Sequence, residues 1–175
     1  MLKFFLFPLI LFILSSNIGF TAGSNSSSGN SSNGSSGNDR SVKIKTDFSK
    51  AKSAIKWAKE FEKKGKLEKA KKRYAKAQKL LLKSNLDKPN QPDTLNYLGF
   101  TTRKLGDFEN GEKYYLQGLA INSYHIGINE YLGELYVATK RHSLAVERLE
   151  VLKGCDCKEY DDLKAIIAGE KVSKY

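Results

Sequence analysis

The sequence predicts an all-α fold, an α-solenoid of three helix pairs closed by a C-terminal capping helix. Two observations predict it. The phrases Asn96-Tyr97-Leu98-Gly99-Phe100 and Glu130-Tyr131-Leu132-Gly133-Glu134 place Gly99 and Gly133 34 residues apart. Small residues at Ala58, Ala70, Gly99, Gly111, Gly133 and Ala145 also recur beside large ones at Trp57, Phe61, Tyr74, Leu98, Tyr115, Leu132 and Tyr136. Small positions let paired helices approach, and large ones fill the spaces between turns. A unit of this length cannot bury its apolar face alone, so neighbouring units must stack.

The chain does not begin as a globular domain. Lys3 precedes an apolar stretch from Phe4 to Leu14 that only Pro8 interrupts, and Ser15, Ser16 and Asn17 end it. This stretch is shorter than the roughly 20 apolar residues of a membrane span and has the length of a signal-peptide core. Small residues at Ala22, Gly23 and Ser24 suit a cleavage site. Residues 1–22 are therefore read as a signal peptide, and the chain as exported, periplasmic or secreted. The alternative is a membrane anchor formed by the uncleaved segment. Residues 23–46 begin as an almost unbroken run of Gly, Ser and Asn. Such a run buries too little surface to offset the entropy of ordering, and is read as a flexible tether.

The helical repeat domain is placed at 47–169, with 170–175 as a tail. Gly65-Lys66-Leu67-Glu68-Lys69-Ala70 resembles Gly106-Asp107-Phe108-Glu109-Asn110-Gly111, and Lys140 to Ala145 follows the latter by 34 residues. Gly65 and Gly106 are read as ending first helices and permitting the turn. Pro92 suits a first helical turn. Asp156 with Glu159 three residues on has capping-box spacing and predicts a last helix with an apolar stripe of Tyr160, Leu163, Ile166 and Ile167.

The two-helix unit of this period resembles the tetratricopeptide repeat. The first unit, starting near Ala51, has Trp57, Ala58, Phe61, Ala70, Tyr74 and Ala77 at the signature positions. The second, from Pro92, has Leu95, Leu98, Gly99, Gly111, Tyr115 and Gly118; the third, from Ile126, has Leu132, Gly133, Tyr136, Ala145 and Leu149. Thr102 stands where an aromatic is usual and Ser123 where Pro is usual, and about seven extra residues separate the first two units. The ending, residues 157–166 after Glu130 to Tyr136, is similar to that of a family of exported bacterial repeat proteins with no established function.

The resemblance implies a concave groove that holds a peptide or helix, with first-helix positions facing it. These are Lys52, Ile55 and Lys59, then Asn96, Phe100 and Arg103, then Glu130 and Glu134. They describe a groove running from basic to acidic through an apolar middle. Ile55 and Gly127 occupy the positions of the Lys/Asn clamp of chaperone-tail binders, so those partners are not implied.

Charge is unevenly spread. Arg40 to Lys88 hold 18 Lys/Arg against 5 Asp/Glu, whereas Pro89 to Tyr175 hold 11 against 13, so the overall +11 resides in one third of the chain. Lys69, Lys72, Lys76, Lys79 and Lys83 follow helical spacing and form a basic stripe. Its plain reading is a solvated face. The sharper one is contact with an anionic envelope component, polymer or lipid. Nucleic acid is not expected for an exported chain.

No enzymatic chemistry is legible. His125 and His142 lack metalloprotease spacing, and neither a phosphate-binding glycine loop nor a nucleophile elbow occurs. No cofactor or metal site is expected. Cys155 and Cys157 favour a disulfide in an oxidising compartment, with free thiols and a redox-active bridge as the alternatives. The functional expectation is a non-enzymatic interaction module, a scaffold or adaptor that binds protein or peptide in the cell envelope. The alternative is a structural or envelope-surface protein acting through its basic first repeat.

Overall fold

The computed structural model describes residues 46–173, so the signal-peptide and tether readings, as far as residue 45, and Lys174 and Tyr175 lie outside the described residues. Among the described residues seven helices follow one another: α1 (Asp47–Lys63), α2 (Leu67–Asp87), α3 (Pro92–Lys104), α4 (Phe108–Ile121), α5 (Ile126–Ala138), α6 (His142–Leu152) and α7 (Lys158–Ile167). Among the described residues there is no strand. No helix is long and apolar enough there to cross a membrane.

The helices pair as α1 with α2, α3 with α4 and α5 with α6. Each pair then stacks on the next through α2–α3 and α4–α5, and α7 packs against α5 and α6. The chain is thus an all-α solenoid of three hairpins with an added terminal helix.

Local chemistry sets the boundaries. Thr46 caps α1, its hydroxyl accepting from the Ser49 amide at 3.2 Å. Asp107 caps α4 in the same way through the Asn110 amide at 3.1 Å. Each such cap is worth about 1 kcal/mol. Pro92 occupies the first turn of α3, where its missing amide costs nothing. Gly65 and Gly106 take φ of 68° and 96°, so both hairpin turns use the left-handed region that glycine enters without a side-chain clash. His125 caps α5: its Nδ1 accepts from the Ile128 amide at 3.2 Å while Nε2 lies 3.1 Å from Asp93.

The extra residues between the first two units do not form a loop. They lengthen α2 to 21 residues, against 14 for α4 and 11 for α6. Lys79, Leu80, Leu81, Leu82 and Lys83 are good helix formers, and nothing between Leu67 and Asp87 breaks the helix.

The core is built from the small and large positions, with two corrections. Tyr74, Leu81, Leu98, Tyr115, Leu132 and Leu135 are fully or almost fully buried. Trp57, expected to fill a gap between turns, is instead 58% exposed. It lies on the first helix of the first hairpin, where no preceding unit stacks upon α1 within the described residues. The second correction concerns Gly133. A Cβ there would meet the Leu163 methyls of α7 at 2.6 and 2.8 Å, so the close approach is to the terminal helix and not to its hairpin partner α6.

Asp156 does not cap the last helix. It takes φ of 45° in the turn, α7 begins at Lys158, and Cys157 holds the N-cap position with no side-chain bond. Cys155 and Cys157 are joined as a disulfide with Cα atoms 5.2 Å apart. The bridge lies in the turn between α6 and α7, and the N-cap falls one residue later than Asp156.

Candidate functional site

The first helices of the hairpins and α7 line one side of the stack, and a cavity of about 760 Å³ opens there. This volume falls within the usual range of ligand sites. Phe100 and Tyr131 form the floor, with ring centroids 5.2 Å apart. Lys59, Lys63 and Lys104 stand on the α1–α3 side. Glu130 and Glu134 of α5 and Glu159 and Asp162 of α7 stand on the other. Ile166 closes the apolar strip, and residues 171–173 edge the mouth.

On the basic side, the Lys59 ammonium sits 4.7 Å above the Phe100 ring and 5.9 Å from that of Tyr131. Such contacts hold the cation over the aromatic floor. Lys104 is tied to Glu62 at 2.6 Å, and Tyr74 donates to the same carboxylate at 2.8 Å.

The acidic side is partly neutralised from within. Arg103 is 2% exposed and lies beneath the floor, donating to the Tyr131 carbonyl at 2.8 Å and to Glu134 at 3.3 Å. Asp162 is held below the usual carboxylate range, first by its hydrogen bond from Lys158 and then by that from Lys171. Among the described residues, no hydrogen bond supports Glu130 in this way. It is 8% exposed, and burial, then the negative charge of Glu134, push its carboxyl up to about 8. Burial likewise raises the hydroxyls of Tyr131 and Tyr115.

The residues expected to face a groove divide into two sets. Lys59, Phe100, Glu130 and Glu134 line the cavity; Lys52, Ile55, Asn96 and Arg103 do not. Lys52 is exposed and lies 5.7 Å from the Phe48 ring. Ile55 is 4% exposed and belongs to the core of the first hairpin. Asn96 is buried against the start of α5, where a Cβ on Gly127 would meet its Nδ2 at 2.8 Å. Arg103 is an internal strut between α3 and α5, not an exposed anchor. The helical faces explain the division: Asn96 and Arg103 reach α5, Ile55 turns into the core and Lys52 is exposed beside Phe48, which the spacing alone does not reveal.

Sequence reasoning missed Lys63, Lys104 and Tyr131, and all of the α7 contribution. Tyr131 was legible as part of the repeated phrase. The α7 residues were not, since their part depends on that helix packing beside α5. The basic stripe lies elsewhere. Lys69, Lys72, Lys76, Lys79 and Lys83 are all exposed on α2, away from buried Ala70, Tyr74, Ala77 and Leu81, and Lys83 pairs with Asp47 at 2.8 Å. Among the described residues, no group of three His, Cys, Asp or Glu could hold a metal ion.

No family model matches this chain. No curated protein matches it either. Among solved structures, it is similar to the first TPR domain of Spaghetti (RPAP3) bound to the HSP90 peptide SRMEEVD, at 20% sequence identity and a TM-score of 0.50. The match covers 74% of this chain and 99% of that one. With helix pairing and stacking as described, the chain has the tetratricopeptide-repeat fold.

Proposed function

We propose that this chain is a non-enzymatic interaction module that holds a peptide or helix of another protein in the groove lined by α1, α3, α5 and α7, and that it works in the cell envelope. The observation that carries the reading is the groove itself: an aromatic floor between a lysine side and a carboxylate side, with room for several side chains. Aromatic anchors within a desolvated groove and charges at its edges are what an extended polypeptide requires. The similar TPR domain holds a peptide, which supports the class of partner. Acidic chaperone tails are not the partners implied here, because buried Ile55 and Gly127 stand at the clamp positions.

Site-directed photo-cross-linking in envelope extract tests this. A photoreactive residue at Lys63, exposed at the groove, is expected to give discrete adducts that Phe100→Ala abolishes. One at Lys76, on the outer face of α2, is expected to give none. Adducts from position 76 alone would overturn the groove reading.

A second reading, binding of an anionic envelope polymer or lipid, is favoured by one observation: Lys69, Lys72, Lys76 and Lys79 project together from the side of α2 opposite its core. Such contact would weaken steeply with salt, since exposed charges are screened beyond about 8 Å at physiological ionic strength. It would also be lost on changing these four lysines to Gln.

The envelope location rests on the composition of residues 1–22. Intact-mass measurement of protein from the envelope fraction is expected to place the mature N-terminus between Gly23 and Asn25. A mass retaining Met1 to Leu14 would instead mean an anchored chain.

A further inference from the structure

Glu130 is the least explained group in the groove. Its side chain lines the cavity, and the residue as a whole is only 8% exposed. Among the described residues, no donor lies within hydrogen-bond distance of its carboxylate. Burying an ionised carboxylate without a partner is costly, and proteins relieve it by protonation or by a cation.

The surrounding cations are directed elsewhere. From α3, Arg103 is engaged with Glu134 and the Tyr131 carbonyl. From α7, Lys158 pairs with Asp162, and so does Lys171 from the segment beyond that helix. The other groups facing Glu130 are acidic or neutral: Glu134 and Tyr131 on its own helix, Tyr115 on α4, and Glu159 and Asp162 on α7. This half of the cavity therefore gathers carboxylates, and among the described residues none of the cations beside Glu130 forms an ion pair with it.

We propose that the polypeptide held in this groove carries a lysine or arginine whose cationic head enters the α5–α7 end and pairs with Glu130. The inference rests on the peptide-groove reading and adds the partner's chemistry. Charge complementarity orients the occupant, placing its cation between α5 and α7. Burial pushes Glu130 up to about 8, so a cation pairing with it near neutral pH displaces a proton. Arginine does not titrate in this range. Affinity for an arginine-bearing peptide then rises with pH, by as much as about tenfold per unit, and levels off near 8.

The test uses the full chain and an array of ten-residue peptides, each with one position fixed and the others mixed. Wild type is expected to favour Arg or Lys over Gln by about tenfold at one position. Glu130→Gln is expected to lose that preference while keeping its apolar and aromatic preferences. Titration of the best arginine peptide from pH 6 to 9 is expected to give rising affinity for wild type and a flat profile for Glu130→Gln. The wild-type profile is decisive even without the variant. Binding without a cation preference, or a cation preference that survives Glu130→Gln, overturns this inference and leaves the groove reading standing. Failure of the wild type to bind any peptide of the array overturns both.

Discussion

Replacing Gly99 by leucine is expected to cost several kcal/mol and to lower the melting temperature by roughly 10 °C or more. Gly99 lies where α3 crosses α4, and both sides of the crossing are glycine. A Cβ at Gly99 would sit 2.5, 2.6 and 2.8 Å from three atoms of the Tyr115 ring. A Cβ at Gly111 would sit 3.2 Å from the Gly99 carbonyl. The Tyr115 ring is fully buried, so it can give way only by disturbing its packed neighbours. Leucine favours the helix over glycine by up to about 1 kcal/mol, but that gain is smaller than the cost of driving two packed helices apart. Ala120→Leu, at an exposed position on α4, is the control and should leave stability within about 0.5 kcal/mol. Thermal unfolding of the three proteins decides the matter. An unchanged midpoint for Gly99→Leu would mean that α3 and α4 do not meet at this residue.

Glu130→Gln is expected to stabilise the fold at high pH and to remove a pH dependence present in wild type. The folded-state carboxyl is raised from its usual 4.5 to about 8, with burial the leading cause. Between those two values the native state holds a proton that the unfolded chain has released. The slope of unfolding free energy with pH is therefore negative in that window. The contribution of this group is fully present below about 4.5, declines as pH rises through 8, and is lost above it. The decline is at most about 1.4 kcal/mol per pH unit and a few kcal/mol in all. Glutamine keeps the shape and has no charge to bury, so its stability should be nearly flat over the same range. Denaturant unfolding of both proteins from pH 4 to 9 measures this. Parallel profiles would show that Glu130 is solvated in the native state.

These two residues also show how much was written in the chain. Gly99 and Gly133 occupy equivalent places in the repeated phrase; their spacing, with the recurring small and large residues, predicted three hairpins, and the residue types of Gly65, Gly106 and Pro92 predicted two turns and a helix start. Repeat period, glycine at a positive-φ turn and proline at a helix start are local properties, fixed by backbone sterics and by the need to bury one helical face. What each glycine accommodates was not local. Gly99 receives Tyr115 from its own hairpin, whereas Gly133 receives Leu163 from α7. The difference arises because, within the described residues, the third hairpin is followed by the single helix α7, which packs against α5 and α6.

The groove divides in the same way. Lys59, Phe100, Glu130 and Glu134 were legible as first-helix positions, because repeat geometry directs such positions to one side of the stack. Arg103 and Ile55 share that periodicity and yet are buried, one as an internal strut to Glu134 and the Tyr131 carbonyl, the other in the first hairpin's core. A helical period gives direction around one helix axis only, and whether a side chain meets solvent or a neighbour depends on where the next helix lies. The sequence by itself determined the hairpins, their order and the side on which a groove would form. Tertiary structure alone decided which side chains line that groove, that α7 supplies much of its acidic side, and that among the described residues Glu130 has no ion-pair partner there. Burial and pairing of charge are properties of the assembled stack, arising from elements far apart in the chain that come together only when it folds.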